Sequence, residues 1–148
     1  MRTSREDRLD LYTGVRTMLV LLEGTTAQAL APLDLTPLQF DALKALNDDT
    51  GVRMGNLREQ LLCDDSTLTR AIGHLLARDW ATTERDPADG RATLVSITRS
   101  GISRRSEALD AQDLALRSLI GELDVDLVER TTEGVRTMSQ RLLQQKGF

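Results

Sequence analysis

One cysteine and one histidine are all that this chain carries of the two residue types most used for metal binding and covalent chemistry. Cys63 alone excludes an internal disulfide and a cysteine-rich zinc site. His74 alone leaves a histidine-based metal centre or triad without its partners. Aromatic residues are scarce at 3%. A stacking platform for single-stranded nucleic acid is therefore not expected, and aliphatic side chains have to fill the core. No apolar run approaches the ~18 residues of a membrane span. The first ten residues, MRTSREDRLD, are charged and no apolar stretch follows them, so they do not read as a signal peptide. The expected location is the cytoplasm. Glycine-rich phosphate loops are missing too. With so few catalytic groups, an enzyme is not expected, nor is a cofactor or a metal.

What remains is aliphatic and charged. The chain has 148 residues, 40% apolar and 28% charged, which suits one soluble, helix-rich domain with a core of its own. The net charge of −4 argues, taken alone, against a nucleic-acid partner. Phosphate binding needs only a local basic surface, however. From Arg70 to Arg105 there are seven arginines (Arg70, Arg78, Arg85, Arg91, Arg99, Arg104, Arg105) and four acids (Asp79, Glu84, Asp86, Asp89). That segment is locally +3, and the acids gather elsewhere, in 6–10, 48–49 and 122–133.

Apolar spacing of three and four (Leu11, Val15, Met18, Leu19, Leu22) predicts a long first helix over 5–31, ended by Pro32. It is too apolar to stand free, so it packs on its own domain or on a second chain. Thr36-Pro37-Leu38-Gln39 is a capping box with proline at the first helical position. A short extended piece at 52–54 and a helix over about 55–62 follow. Asp64 caps the next helix, whose Leu68, Ile72 and Leu75 face inward. Its other side carries Ser66, Arg70, Gly73, His74 and Ala77, with Thr69 at the edge. Thr82–Arg85 and Ala92–Ile97 read as two strands, and Asp86–Arg91 between them as a turn. Thr98 caps a helix to about 121, and Asp124 caps the last, over about 125–145.

Two helices joined by a short turn and followed by a β-hairpin make a winged helix-turn-helix: mainly α with a small β wing. In that architecture the second helix enters the major groove. The candidate readers are Ser66, Thr67, Thr69, Arg70, His74 and Arg78. The candidate wing contacts are Arg85, Asp89 and Arg91. A plain solvated helix face is the competing reading, but this face carries neither Glu nor Lys. Arg91 could instead pair with Asp89 or Asp86 and only shape the turn. Cys63 sits where a small core residue belongs, and the alternative is a redox sensor. Trp80 is expected to plug the space between helix and hairpin.

These residues resemble those of the MarR family of bacterial transcriptional regulators. Asp89-Gly90-Arg91 followed by Ile97-Thr98-Arg99-Ser100-Gly101 is similar to the family's wing signature. Ser66-Thr67-Leu68-Thr69-Arg70 resembles the start of its recognition helix, and Leu35-Thr36-Pro37-Leu38-Gln39-Phe40 the start of its second helix. The resemblance implies a single domain over 1–148, with dimerisation helices in 5–31 and 99–148 around a winged portion at 35–98. It implies a homodimer that binds double-stranded DNA at a pseudopalindromic operator, acts mostly as a repressor, and is released by a small aromatic or anionic effector. Tyr12, Arg16 and Met18 are candidates for the effector cleft. Departures from the pattern are Asp79 and Leu62, where the family usually has glycine, and Gly90 at a basic wing position. The family's redox members carry a cysteine in the first helix, which is missing here. Two readings compete with DNA binding by an effector-controlled repressor: a winged-helix module for protein–protein contact, and a redox regulator acting through Cys63.

Overall fold

The structure, a computed structural model, describes residues 3–146. Ser4 opens α1 (Arg5–Leu30) with a capping box: its hydroxyl accepts from Asp7 N at 3.0 Å and its own N–H donates to the Asp7 carboxylate at 2.8 Å. The helix stops one residue short of the predicted end. Pro32 does not break the chain abruptly but lies in a 3₁₀ turn, Ala31–Leu33. Then α2 (Pro37–Ala45) begins with the expected capping box, Gln39 N donating to Thr36 Oγ1 and Thr36 N to Gln39 Oε1. The strand β1 (Val52–Arg53) leads directly into α3 (Met54–Leu61). After it come α4 (Asp65–Ala77), the hairpin β2 (Ala81–Asp86) and β3 (Asp89–Ile97), α5 (Arg99–Ile120) and α6 (Val125–Lys146).

The three strands form one antiparallel sheet in the order β1-β3-β2, with Arg53 opposite Leu94 and Glu84 opposite Leu94 on the other side. The hairpin is longer than the sequence reading made it. The connection shrinks from six residues to Pro87-Ala88, because Asp86 pairs across to Asp89 and the register slips just before it. The Asp86 carboxylate accepts from Ala88 N at 2.8 Å, so the side chain itself closes the turn.

Three helix ends share one device. The chain reverses through a left-handed residue at Asp34 (φ 58°), Leu62 (φ 52°) and Asp79 (φ 55°). Each is followed by a bond from the next N–H back to the carbonyl five residues earlier: Leu35 to Leu30, Cys63 to Arg58, and Trp80 to Leu75. Glycine is the usual residue at such a position because a Cβ is crowded there. Aspartate tolerates the conformation better than most residues. Leucine does not, and Leu62 stays 62% exposed besides.

The core is aliphatic, as the composition requires. Leu30, Leu35, Phe40, Leu43, Leu46, Leu57, Leu68, Ile72, Leu75, Val95 and Ile97 form one buried cluster, closed by Trp80 and Ala108. Cys63 lies half-buried against it, a packing position. On α5, Arg105 donates to the Leu43 and Leu46 carbonyls at the end of α2 and pairs with Asp48. One of the seven arginines of the basic segment is thereby committed to the fold.

The chain divides into two compact units, Met1–Leu116 and Arg117–Phe148. In the first, α1 buries only Thr26 and Leu30. Leu9, Leu11, Tyr12, Val15, Leu19, Val20 and Leu21 stay exposed along it. In the second, Asp124 caps α6 through Leu127 N at 3.0 Å, and Val125, Leu127, Val135, Met138 and Leu142 are exposed. Among the described residues, no helix is long and apolar enough to cross a membrane.

Candidate nucleic-acid interface

Asp64 starts α4. Its carboxylate accepts from Thr67 N at 2.7 Å and from the Ser66 hydroxyl at 2.8 Å. These two bonds, the backbone one first, hold its pKa down at about 2, against an ordinary 3.8. Leu68, Ala71, Ile72 and Leu75 are buried, which fixes the helix's rotation. Each large aliphatic side chain placed there contributes about 1.5–3 kcal/mol. The rotation turns Ser66, Thr69, Arg70, Gly73 and Ala77 outward. Thr67 lies half-buried beside the cap. The Thr69 hydroxyl donates to the Asp65 carbonyl at 2.7 Å, leaving its oxygen able to accept. Among the described residues the Arg70 guanidinium has no hydrogen-bond or ion-pair partner. A Cβ built on Gly73 meets nothing within 4 Å. Glycine in a helix interior costs about 0.5–1 kcal/mol relative to alanine. Packing within this chain gives no reason for it.

His74 and Arg78 do not share that surface. His74 Nε2 bonds the Asp34 carbonyl at 2.7 Å, and its ring lies 6.0 Å from that of Trp80. Arg78 Nε donates to the Asp34 carboxylate, and its guanidinium sits over Trp80 at 5.9 Å. The end of α4 is thus latched to the left-handed corner between α1 and α2. Helical spacing had grouped His74 with Arg70. The corner at Asp34, 40 residues away in sequence, draws it aside.

Trp80 is buried, as expected of a plug, and the Arg104 guanidinium also sits over its ring, at 5.0 Å. The Thr98-x-x-Gly101 motif completes the joint. Thr98 Oγ1 donates to the Asp79 carbonyl at 2.6 Å and accepts from Gly101 N at 3.0 Å, while Thr98 N donates to the Trp80 carbonyl. A Cβ on Gly101 would run into that same Trp80 carbonyl and the Ile97 side chain. The motif lets α5 start hard against the end of α4.

In the hairpin, neither pairing envisaged for Arg91 forms. Asp86 is engaged by Arg53 instead, with Nε at 2.7 Å and a terminal nitrogen at 2.5 Å from the same oxygen. Asp89 accepts from the backbone N–H of Arg91 at 3.1 Å. The Arg91 guanidinium is left without a partner among the described residues. Arg85 reaches the Gly90 carbonyl at 3.3 Å. Of the seven arginines, Arg78, Arg85, Arg104 and Arg105 are engaged within the fold. Among the described residues Arg70, Arg91 and Arg99 have no partner; they lie on α4, the hairpin and the start of α5. Sequence reading had missed Arg53, and no local signal marks it, since its partner lies 33 residues away.

Residues 33–92 match the MarR family model. The multiple antibiotic resistance protein MarR of Escherichia coli K12 is 32% identical over 87 residues, which cover 57% of this chain and 60% of that protein. Over this winged segment the chain is similar to the MarR family. The winged fold of its MarR-like structural neighbours extends beyond the matched segment. BldR of Sulfolobus solfataricus superposes with a TM-score of 0.84 at 23% identity, covering 95% of this chain and 99% of that one. BpsR of Bordetella bronchiseptica, whose DNA binding is regulated by 6-hydroxynicotinic acid, superposes at 0.78 with 25% identity, covering 88% and 98%. The chain spans 60% of the length of the curated MarR relative it matches.

Proposed function

We propose that the chain is a sequence-specific regulator of transcription that binds double-stranded DNA as a homodimer, acts in the cytoplasm and is released from its operator by a small molecule. The observation that carries this reading is the outward face of α4. It combines unpaired Arg70, hydroxyls at Ser66 and Thr69, and glycine and alanine at 73 and 77, with no Glu or Lys. An arginine fork suits guanine in the major groove, and small neighbours let the backbone come close. Arg91 on the hairpin supplies a phosphate or minor-groove contact. The readers are then Ser66, Thr69 and Arg70, with Thr67 at their edge, while His74 and Arg78 serve the helix from behind. Arg85 and Asp89 shape the wing.

The dimer reading rests on exposure. Seven large apolar side chains along α1 face solvent in the single chain, and exposed apolar surface of this kind marks an interaction site. A two-fold dimer would place two reader helices about one duplex turn apart, and so would ask for a pseudopalindromic operator. The effector reading rests on the similarity to the MarR family and on BpsR, whose regulator is an aromatic acid. Tyr12 and Arg16, exposed on α1, and half-buried Met18 remain the candidates to meet such a molecule. A protein–protein module is less well supported, because the acidic pair that suggested it is used locally. Asp64 caps α4, and Asp65 pairs with Arg58 at 3.5 Å.

The test is selection of bound duplexes from a randomised pool, followed by a thermal-shift screen of aromatic acids. A palindromic consensus, bound by a dimer and released by a stabilising acid, is expected. No enrichment over the starting pool at low salt would contradict DNA binding. Enrichment with no responsive acid would contradict only the effector.

A further inference from the structure

We propose that Arg53 is a positioning residue for the wing: by holding Asp86, it keeps the Arg91 guanidinium unpaired and available to DNA. This rests on the DNA-binding reading above. Asp86 is 7% exposed, and both its oxygens are occupied, Oδ2 by two nitrogens of Arg53 and Oδ1 by Ala88 N. A buried carboxylate that loses its cation recruits another, because an unpaired buried charge is costly. Arg91 is the cation placed to answer. Asp86 pairs across the hairpin with Asp89, and Arg91 stands two residues further along the same strand. Such diagonal neighbours lie within reach of a long side chain. Arg85, adjacent to Asp86, projects to the opposite face of the strand and holds the Gly90 carbonyl. The remaining carboxylate at the tip, Asp89, accepts from the Arg91 backbone. Arg53 is itself well placed to be rigid. It is the last residue of β1, paired to β3 at Leu94, and immediately precedes α3. The pair therefore ties the hairpin tip to the base of the helix-turn-helix and at the same time occupies the carboxylate that would capture Arg91.

The test is a salt titration of duplex binding by the full chain. Each phosphate contact contributes about one to the slope of log affinity against log salt. Arg53→Met is expected to lower the slope by about one, as Arg91→Ala does, and the two changes together should lower it no further. Arg53→Lys should keep the wild-type slope. Asp86→Asn retains an acceptor for Ala88 N but no charge to capture Arg91, so it should keep the slope alone and restore it in the Arg53→Met chain. A thermal melt of each variant checks folding, and Asp86→Asn keeps the proposal testable if Arg53→Met is unstable. An unchanged slope in Arg53→Met would overturn the proposal. So would a slope that stays low in Arg53→Met with Asp86→Asn, which would make Arg53 itself the phosphate contact. If the wild-type chain binds no duplex, the DNA-binding reading falls first and the proposal with it.

Discussion

The two halves of α4, the proposed reader helix, are built in opposite ways. In the first half, from Asp64 to Gly73, the backbone is secured by the Asp64 cap and the outward side chains are left open: among the described residues Arg70 has no partner, and a Cβ at Gly73 would meet nothing within 4 Å. In the second half the side chains do the securing. His74 and Arg78 are tied to Asp34, Trp80 is buried, and Thr98 bonds the Asp79 carbonyl. A helix that reads DNA needs a free front and an anchored back. Otherwise each base contact would first have to overcome the side-chain entropy and mobility of the helix carrying it. The same division recurs in the hairpin, where Arg53 and Asp86 are locked together and Arg91 is free.

This contrast can be broken at either end. The largest effect is expected for Arg70→Ala. Loss of a bidentate base contact should cost about 1–3 kcal/mol, roughly a 5- to 150-fold drop on the selected duplex, with little change on random DNA. The melting temperature should not move, and isothermal titration beside a thermal melt checks both. Next is Leu62→Gly at the turn into the helix. A left-handed L-residue is strained by roughly 1–2 kcal/mol, and Leu62 recovers little of that through burial. The variant should gain about 1 kcal/mol in chemical denaturation and keep its DNA affinity. Gly73→Ala should gain about 0.5–1 kcal/mol of stability. It should nevertheless lose affinity for the duplex, because the methyl group stands where the bases approach. A gain in both would remove Gly73 from the interface.

The smallest effect concerns acid. Asp64 is lowered in the folded chain to about 2, so its cap contributes fully above the unfolded value of 3.8 and is lost as pH falls through about 2. Helicity followed between pH 4 and 2 should fall less steeply in Asp64→Asn than in the wild type.

Much of this was legible in the sequence because it is local. The Thr36–Gln39 capping box, the Asp64 cap and the inward stripe of Leu68, Ile72 and Leu75 each follow from residues a few positions apart. The Thr98-x-x-Gly101 spacing was visible as a family signature, and its physical reason, the Trp80 carbonyl, was not. What escaped is long-range. Helical periodicity places His74 on a face, but not the α1–α2 corner that comes to meet it. The one partner considered for Asp86 was Arg91, and its partner lies instead in β1, brought in by the β1–β3 pairing. Charge counting had the same blind spot, since four of the seven arginines in the basic segment serve the fold.

The most direct test of the free front and the anchored back compares Arg70→Ala with His74→Ala in one experiment. Both are selected against the same randomised duplex pool, and the ratio of specific to random affinity is measured for each. Arg70→Ala is expected to relax the consensus at one position per half-site. His74→Ala should lose about 1 kcal/mol of stability, the worth of a typical hydrogen bond, and keep the consensus intact. A His74→Ala chain that melts like the wild type but reads a relaxed consensus would contradict it.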